Sequence, residues 1–110
     1  MRFMLMVYGD PNVEDRPMEE WVEFHTKYGM TGNMQFAERL HDVTTATTVR
    51  VRDGKAVTTD GPFAETKEHL GGVYVFECKD LDEAIRIAGE CPAAKTGSLE
   101  IRPIFEVPGE

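Results

Sequence analysis

Apolar residues fill almost every position from Arg2 to Tyr8 before Gly9, Asp10, Pro11 and Asn12 interrupt them. So continuous a run suits a central strand covered on both faces, and the breakers end it in a loop. The period then changes. Met18, Trp21, Val22, His25 and Tyr28 recur at three- and four-residue spacing, which predicts a helix to about Thr31. Asp15, Arg16 and Pro17 supply an N-cap candidate and a first-turn proline, and Glu19 and Glu20 place acidic groups at the positive end of the helix dipole. Gly32-Asn33 closes it.

Beyond the helix, "MQFA" reads as a short strand and "ERLHDVTT" as a loop. Thr44 to Arg52 is rich in β-branched residues, Asp53-Gly54 is a strong hairpin-turn signal, and "KAVTT" returns from it. Val73 to Cys78 forms the next strand, opened by Gly71-Gly72. Asp80 caps a second helix with Leu81, Ala84, Ile85 and Ala88 on one face and Asp82 and Glu83 in the first turn, and Gly89 and Pro92 close it. In the last strand, "SLEIRPIFEV", Leu99, Ile101 and Ile104 pack while Glu100 and Arg102 point away, and Pro103 marks an edge or a bulge. The order strand, helix, hairpin, strand, helix, strand predicts an α+β fold, a ferredoxin-like split βαβ with an antiparallel sheet and both helices on one face. Two helices leave the second face bare, so a homodimer that covers it is the expectation.

Composition narrows the function classes. At 110 residues, with 41% hydrophobic and 29% charged residues, the chain suits one globular domain over 1–110. Twenty acidic against 12 basic residues give a net charge of −8, which argues against direct contact with nucleic acid or an anionic membrane surface. Arg50, Arg52 and Lys55 form the one close basic group, and beside a hairpin turn they read as a solvated strand end. Cys78 and Cys91 lack CxxC spacing and read as reduced thiols. "RFMLMVY" is too short for a signal sequence or a membrane span, so a cytoplasmic protein is expected.

The segment "TTDGPFAETKEHLGG", from Thr58 to Gly72, is long, charged and hydrophobic at once. Together with "LMVYGD", "ATTVRVRDGK" and "DLDEAIRIAGECPAAKTGSLEIRP" it resembles the DGPF-type, YCII-related family of small bacterial proteins, over nearly the whole chain. The resemblance implies a dimeric α/β barrel of ferredoxin-like protomers. It also implies either a link to extracytoplasmic-function sigma factors or, as in more distant relatives, a His-Asp pair in a cleft.

Asp60-Gly61-Pro62 makes a sharp, rigid turn that sends Phe63 one way and the polar groups after it another. As architecture, Asp60 would cap the turn, Phe63 would plug the core, and Glu65, Lys67 and Glu68 would pair with one another. As a site, Asp60, Glu65, Lys67 and Glu68 would line a pocket with Phe63 and Tyr8 as ligand contacts. His25 is the leading acid-base candidate, as a general base oriented by Asp10, with Asp60 a further catalytic candidate; His41-Asp42 is its rival. His25, His41 and His69 lack metal-ligand spacing, so neither metal nor cofactor is expected. Two functions remain open: a cleft that binds a small molecule, with or without weak acid-base catalysis, or a non-catalytic regulatory module tied to sigma-factor-linked transcription.

Overall fold

The computed structural model describes residues 1–109. Its strands are β1 (Arg2–Gly9), β2 (Met34–Arg39), β3 (Thr47–Arg52), β4 (Lys55–Asp60), β5 (His69–Glu77) and β6 (Ser98–Pro103), and its helices are α1 (Met18–Thr31) and α2 (Leu81–Glu90). Short 3-10 turns cover Val43–Thr45 and Pro92–Lys95. Four strands form one antiparallel sheet in the order β2-β5-β1-β6, the ferredoxin-like arrangement. The apolar first strand takes an inner position, as its composition predicts, and the proline-bearing last strand takes an edge.

The hairpin departs from expectation. β3 and β4 pair only with each other, and the strand that fills the sheet beside β5 is β2, which the sequence marks merely as "MQFA". Local propensity made the hairpin the more visible element, but the sheet selects for packing, and Met34 and Ala37 are the β2 side chains that meet the core. Asp53 (φ 51°) and Gly54 (φ 76°) both take positive φ, as a tight hairpin turn matched to strand twist requires. β5 also starts earlier than Val73, at His69, so only residues 61–68 connect it to β4. At the start of α1 the expected Asp15 cap is absent. Pro17 occupies the cap position without a side-chain hydrogen bond, while Asp15 accepts from the Arg16 N–H and from Trp21 Nε1–H. The second helix behaves as read, with the Asp80 carboxylate accepting from the Glu83 N–H at 2.9 Å.

The core lies on one face of the sheet. Phe3 and Leu5 of β1, Tyr74 and Phe76 of β5, Phe24 and Tyr28 of α1, and Ala84, Ile87 and Ala88 of α2 are all buried. The odd positions of β1 point there, while Met4 and Met6, opposite Val75 and Val73, stay half-buried on the face without helices. Tyr28 is closed off by its hydroxyl, which donates to Glu90 of α2 at 2.6 Å, so the two helices are also tied to each other. Cys78 and Cys91 are buried free thiols, and burial pushes the Cys91 thiol up to about 11.

Gly97 lies where a loop presses on β1: a Cβ built there would stand 2.1 Å from the Tyr8 carbonyl oxygen. Chemical denaturation should show Phe76→Ala, at 0% exposure, losing about 3–5 kcal/mol. Met30→Ala, at a site 83% exposed, should change stability by no more than about 0.5 kcal/mol. Gly97→Ala should be destabilising despite the smallness of the change, and a neutral result would mean the Tyr8–Gly97 approach is looser in solution.

Candidate functional site

A cleft of about 640 Å³ opens at the end of the sheet where β1 and β2 finish and β5 begins, within the roughly 300–1,000 Å³ typical of small-molecule sites. One wall is α1. Met18, Trp21, Val22 and His25 stand at i, i+3, i+4 and i+7 and face the cleft, while Phe24 and Tyr28 of the same helix bury against the sheet. The floor includes Val7, Tyr8 and Tyr74, and the opposite wall includes His41, Asp42 and His69. The β1–β5 register shifts between Val7 and Tyr8, so that Val7 faces Gly72 and Tyr8 faces Leu70. Such a bulge re-aims side chains, and here it falls among the cleft-lining residues.

The tightest polar contact in the cleft joins His25 Nε2 to the Tyr74 hydroxyl at 2.6 Å. The two rings meet edge to face, centroids 5.6 Å apart at 89°, and Trp21 stands edge-on to His25 at 6.3 Å. Tyr74 is 5% exposed, and burial raises its hydroxyl pKa well above the usual phenol range. The phenol therefore stays protonated at neutral pH. Two hydrogen-bond patterns fit: the hydroxyl donates to an unprotonated Nε2, leaving Nδ1–H as a donor, or Nε2–H donates to the hydroxyl oxygen, leaving Nδ1 as a base.

Across the cleft, His69 donates from Nε2 to the Thr66 carbonyl at 2.9 Å, which fixes its tautomer. Asp42 accepts from the Thr44 N–H at 2.9 Å, and that bond, with a smaller contribution from the charge of His69, holds its carboxyl below the ordinary range.

The structure divides the residues singled out from sequence. It brings His25, Asp10 and Tyr8 to the cleft, together with His41, Asp42 and His69. His25 is not partnered by Asp10. The Asp10 carboxylate accepts instead from the Asn12 N–H at 2.8 Å and shapes the loop after β1, while the strand pairing of β5 sets Tyr74 under α1. Asp60, Phe63, Glu65, Lys67 and Glu68 lie outside the cleft lining. Asp60 ends β4 opposite Thr47, Phe63 is 80% exposed rather than a core plug, and Glu68 accepts from the Ser98 hydroxyl at 2.8 Å. Among the described residues no three His, Cys, Asp or Glu side chains are placed to share a metal. Tyr74 and Trp21 are the functional candidates sequence reading passed over as such; Tyr74 sits in an apolar run that signals only a strand, whereas Trp21 lay on the helical stripe beside His25.

The rim is latched by Glu20, which accepts from Arg16 at 2.6 Å and from Lys95 at 3.1 Å. These hydrogen bonds lower the Glu20 carboxyl from 4.5 to about 2. A depressed folded-state pKa adds stability above the unfolded value and loses it as pH falls through the folded one. Acid titration of thermal stability should therefore show a loss between pH 4.5 and about 2 that is shallower in Glu20→Gln. Identical slopes would mean that the latch does not form in solution.

A family model described as "YCII-related domain" matches residues 1–108. An uncharacterised protein of Rhizobium meliloti (strain 1021) is 36% identical over 121 aligned residues, which cover 100% of this chain and 98% of the relative. A solved structure of 5-chloro-2-hydroxyhydroquinone dehydrochlorinase from Burkholderia phenoliruptrix AC1100, in complex with 2,5-dihydroxybenzoquinone, aligns over 97% of this chain and 96% of that one, at 15% identity and a TM-score of 0.46.

Proposed function

The chain belongs to the YCII-related domain family, and we propose that its cleft binds a small, partly apolar molecule and exchanges a proton with it through His25. The observation that carries this reading is the His25–Tyr74 contact of 2.6 Å inside a cleft that also holds Trp21. Trp21, Tyr8 and Val7 offer apolar contact area, and a few polar groups set orientation, the usual division of labour in a ligand site. Tyr74 serves as the positioning residue: its buried ring fixes the hydroxyl, and the hydroxyl fixes the imidazole. With Nε2–H held on the Tyr74 hydroxyl oxygen, His25 takes a proton from the ligand at Nδ1 and returns it, as a general base does. Asp10 and Tyr8 at the end of β1 would contact the ligand without sharing that proton.

The working unit in this reading is a homodimer. Its support is the face without helices, where Met4, Met6, Val73 and Val75 are only half-buried in a single copy. A second reading, a non-catalytic interaction module, draws support from exposed apolar residues on the β3–β4 hairpin: Val49 at 61% and Val51 at 63%.

Trp21 is the sole tryptophan of the chain, so its fluorescence reports on the cleft without interference. A small-metabolite library screened by thermal shift should yield ligands that raise the melting temperature, and the same ligands should perturb Trp21 emission. His25→Gln should weaken such a ligand about tenfold or more while remaining folded, and Tyr74→Phe should weaken it less. Deuterium exchange into a bound ligand, lost in His25→Gln, would establish proton transfer. A library without hits, from protein shown to be folded, would sink the cleft reading and favour the interaction module.

A further inference from the structure

The β3–β4 hairpin is costly to explain within one copy. Every residue of β4 is exposed, and of β3 only Thr48 is half-buried. A lone two-stranded hairpin is marginal in water, and its stability ordinarily comes from something packed on it. The radius of gyration is 16.1 Å, against about 13 Å for a compact domain of this length, so the hairpin projects as an arm. With principal extents of 48 × 43 × 19 Å, the thin dimension is about that of one helix layer on one sheet. The arm therefore runs out in the plane of the molecule and does not fold back over the bare sheet face.

Cross-strand pairing gives the arm two unlike faces. Val49 opposite Thr58 and Val51 opposite Ala56 make one face largely apolar. Arg50 opposite Val57 and Arg52 opposite Lys55 make the other basic. None of these three cations forms a salt bridge among the described residues, although eight ion pairs occur elsewhere. Residues 47–60 hold three cations against Asp53 and Asp60, a net +1, so the rest of a chain of charge −8 carries −9.

We infer that the hairpin is a docking arm for a second copy of this chain, with Val49, Val51 and Ala56 packed on the partner's body and Arg50, Arg52 and Lys55 set against its acid-rich surface. A strand of six residues reaches about 20 Å, enough to cross a body whose thin dimension is 19 Å. A symmetric pair exchanges two arms, which satisfies both sets of apolar and basic residues with one kind of contact. The inference does not rest on the cleft being a ligand site.

Sedimentation equilibrium tests it, comparing the wild type with Val49→Asp/Val51→Asp and with Arg50→Glu/Arg52→Glu. These positions are exposed in the single copy, so circular dichroism should confirm that the variants fold. The wild type should be a dimer of the 12.4 kDa chain, each double variant should raise the dissociation constant at least about tenfold, and added salt should weaken the wild type. A spin label on Arg52→Cys, mixed with an unlabelled isotope-enriched copy, should broaden amide signals of the other copy; Cys78 and Cys91, being buried, should not take up the label. A monomeric wild type would overturn both the dimer and the arm. A dimer insensitive to both double variants, with no broadening between copies, would overturn the arm alone and leave a dimer held by the sheet faces.

Discussion

Tyr74 is the point at which stability and site geometry become the same problem. Its ring is packed edge-on to Phe24 and tilted against Phe76, and its hydroxyl emerges at His25. The ladder between β1 and β5 sets Tyr74 opposite Leu5, a fully buried residue, so the ring cannot shift without opening the core. The imidazole inherits that rigidity. A hydrogen bond shared with a well-packed phenol positions a cleft histidine better than a mobile carboxylate on a loop would, and the loop carboxylate, Asp10, is engaged in turn geometry.

Much of the fold was legible because its signals are periodic and local. The continuous apolar run of β1, the three-and-four spacing of α1 and the Asp80 cap of α2 each come from a single physical cause acting over a few residues. What sequence could not rank was which β-rich segment enters the sheet. The hairpin carries the stronger propensity and turn signals, yet β2, with Met34 and Ala37 as its core contacts, holds the position beside β5. Strand membership is decided by what the opposite face buries, and that information lies in other parts of the chain.

The site shows the same division. His25, Asp10 and Tyr8 could be gathered from sequence because the end of a first strand and the exposed stripe of the following helix converge in a ferredoxin-like fold. The Asp60–Glu68 segment lies outside the cleft lining and has a structural use of its own. A rigid turn with Phe63 and several charges resembles a ligand loop, but Gly61 donates its N–H to the Ala46 carbonyl at 2.7 Å and Thr48 donates its hydroxyl to the Gly61 carbonyl at 2.8 Å. Those bonds make the segment the root of the hairpin. Tyr74 was missed because a buried tyrosine and a site tyrosine share one sequence pattern, and only the neighbour of the hydroxyl separates them.

The pairing of β1 has a further consequence for how the molecule comes into being. Its partners lie far along the chain: Arg2 pairs with Glu77 and Phe3 with Pro103. A ribosome making the chain from its first residue would release β1 long before either partner, leaving an apolar strand with two open edges while most of the remainder is synthesised. Ladders closed over such separations form slowly, whereas the β3–β4 hairpin, whose strands are joined by one tight turn, can form as soon as it emerges. The partners of β1 thus emerge only after the hairpin is made, and until β6 pairs with it the apolar first strand keeps an open edge.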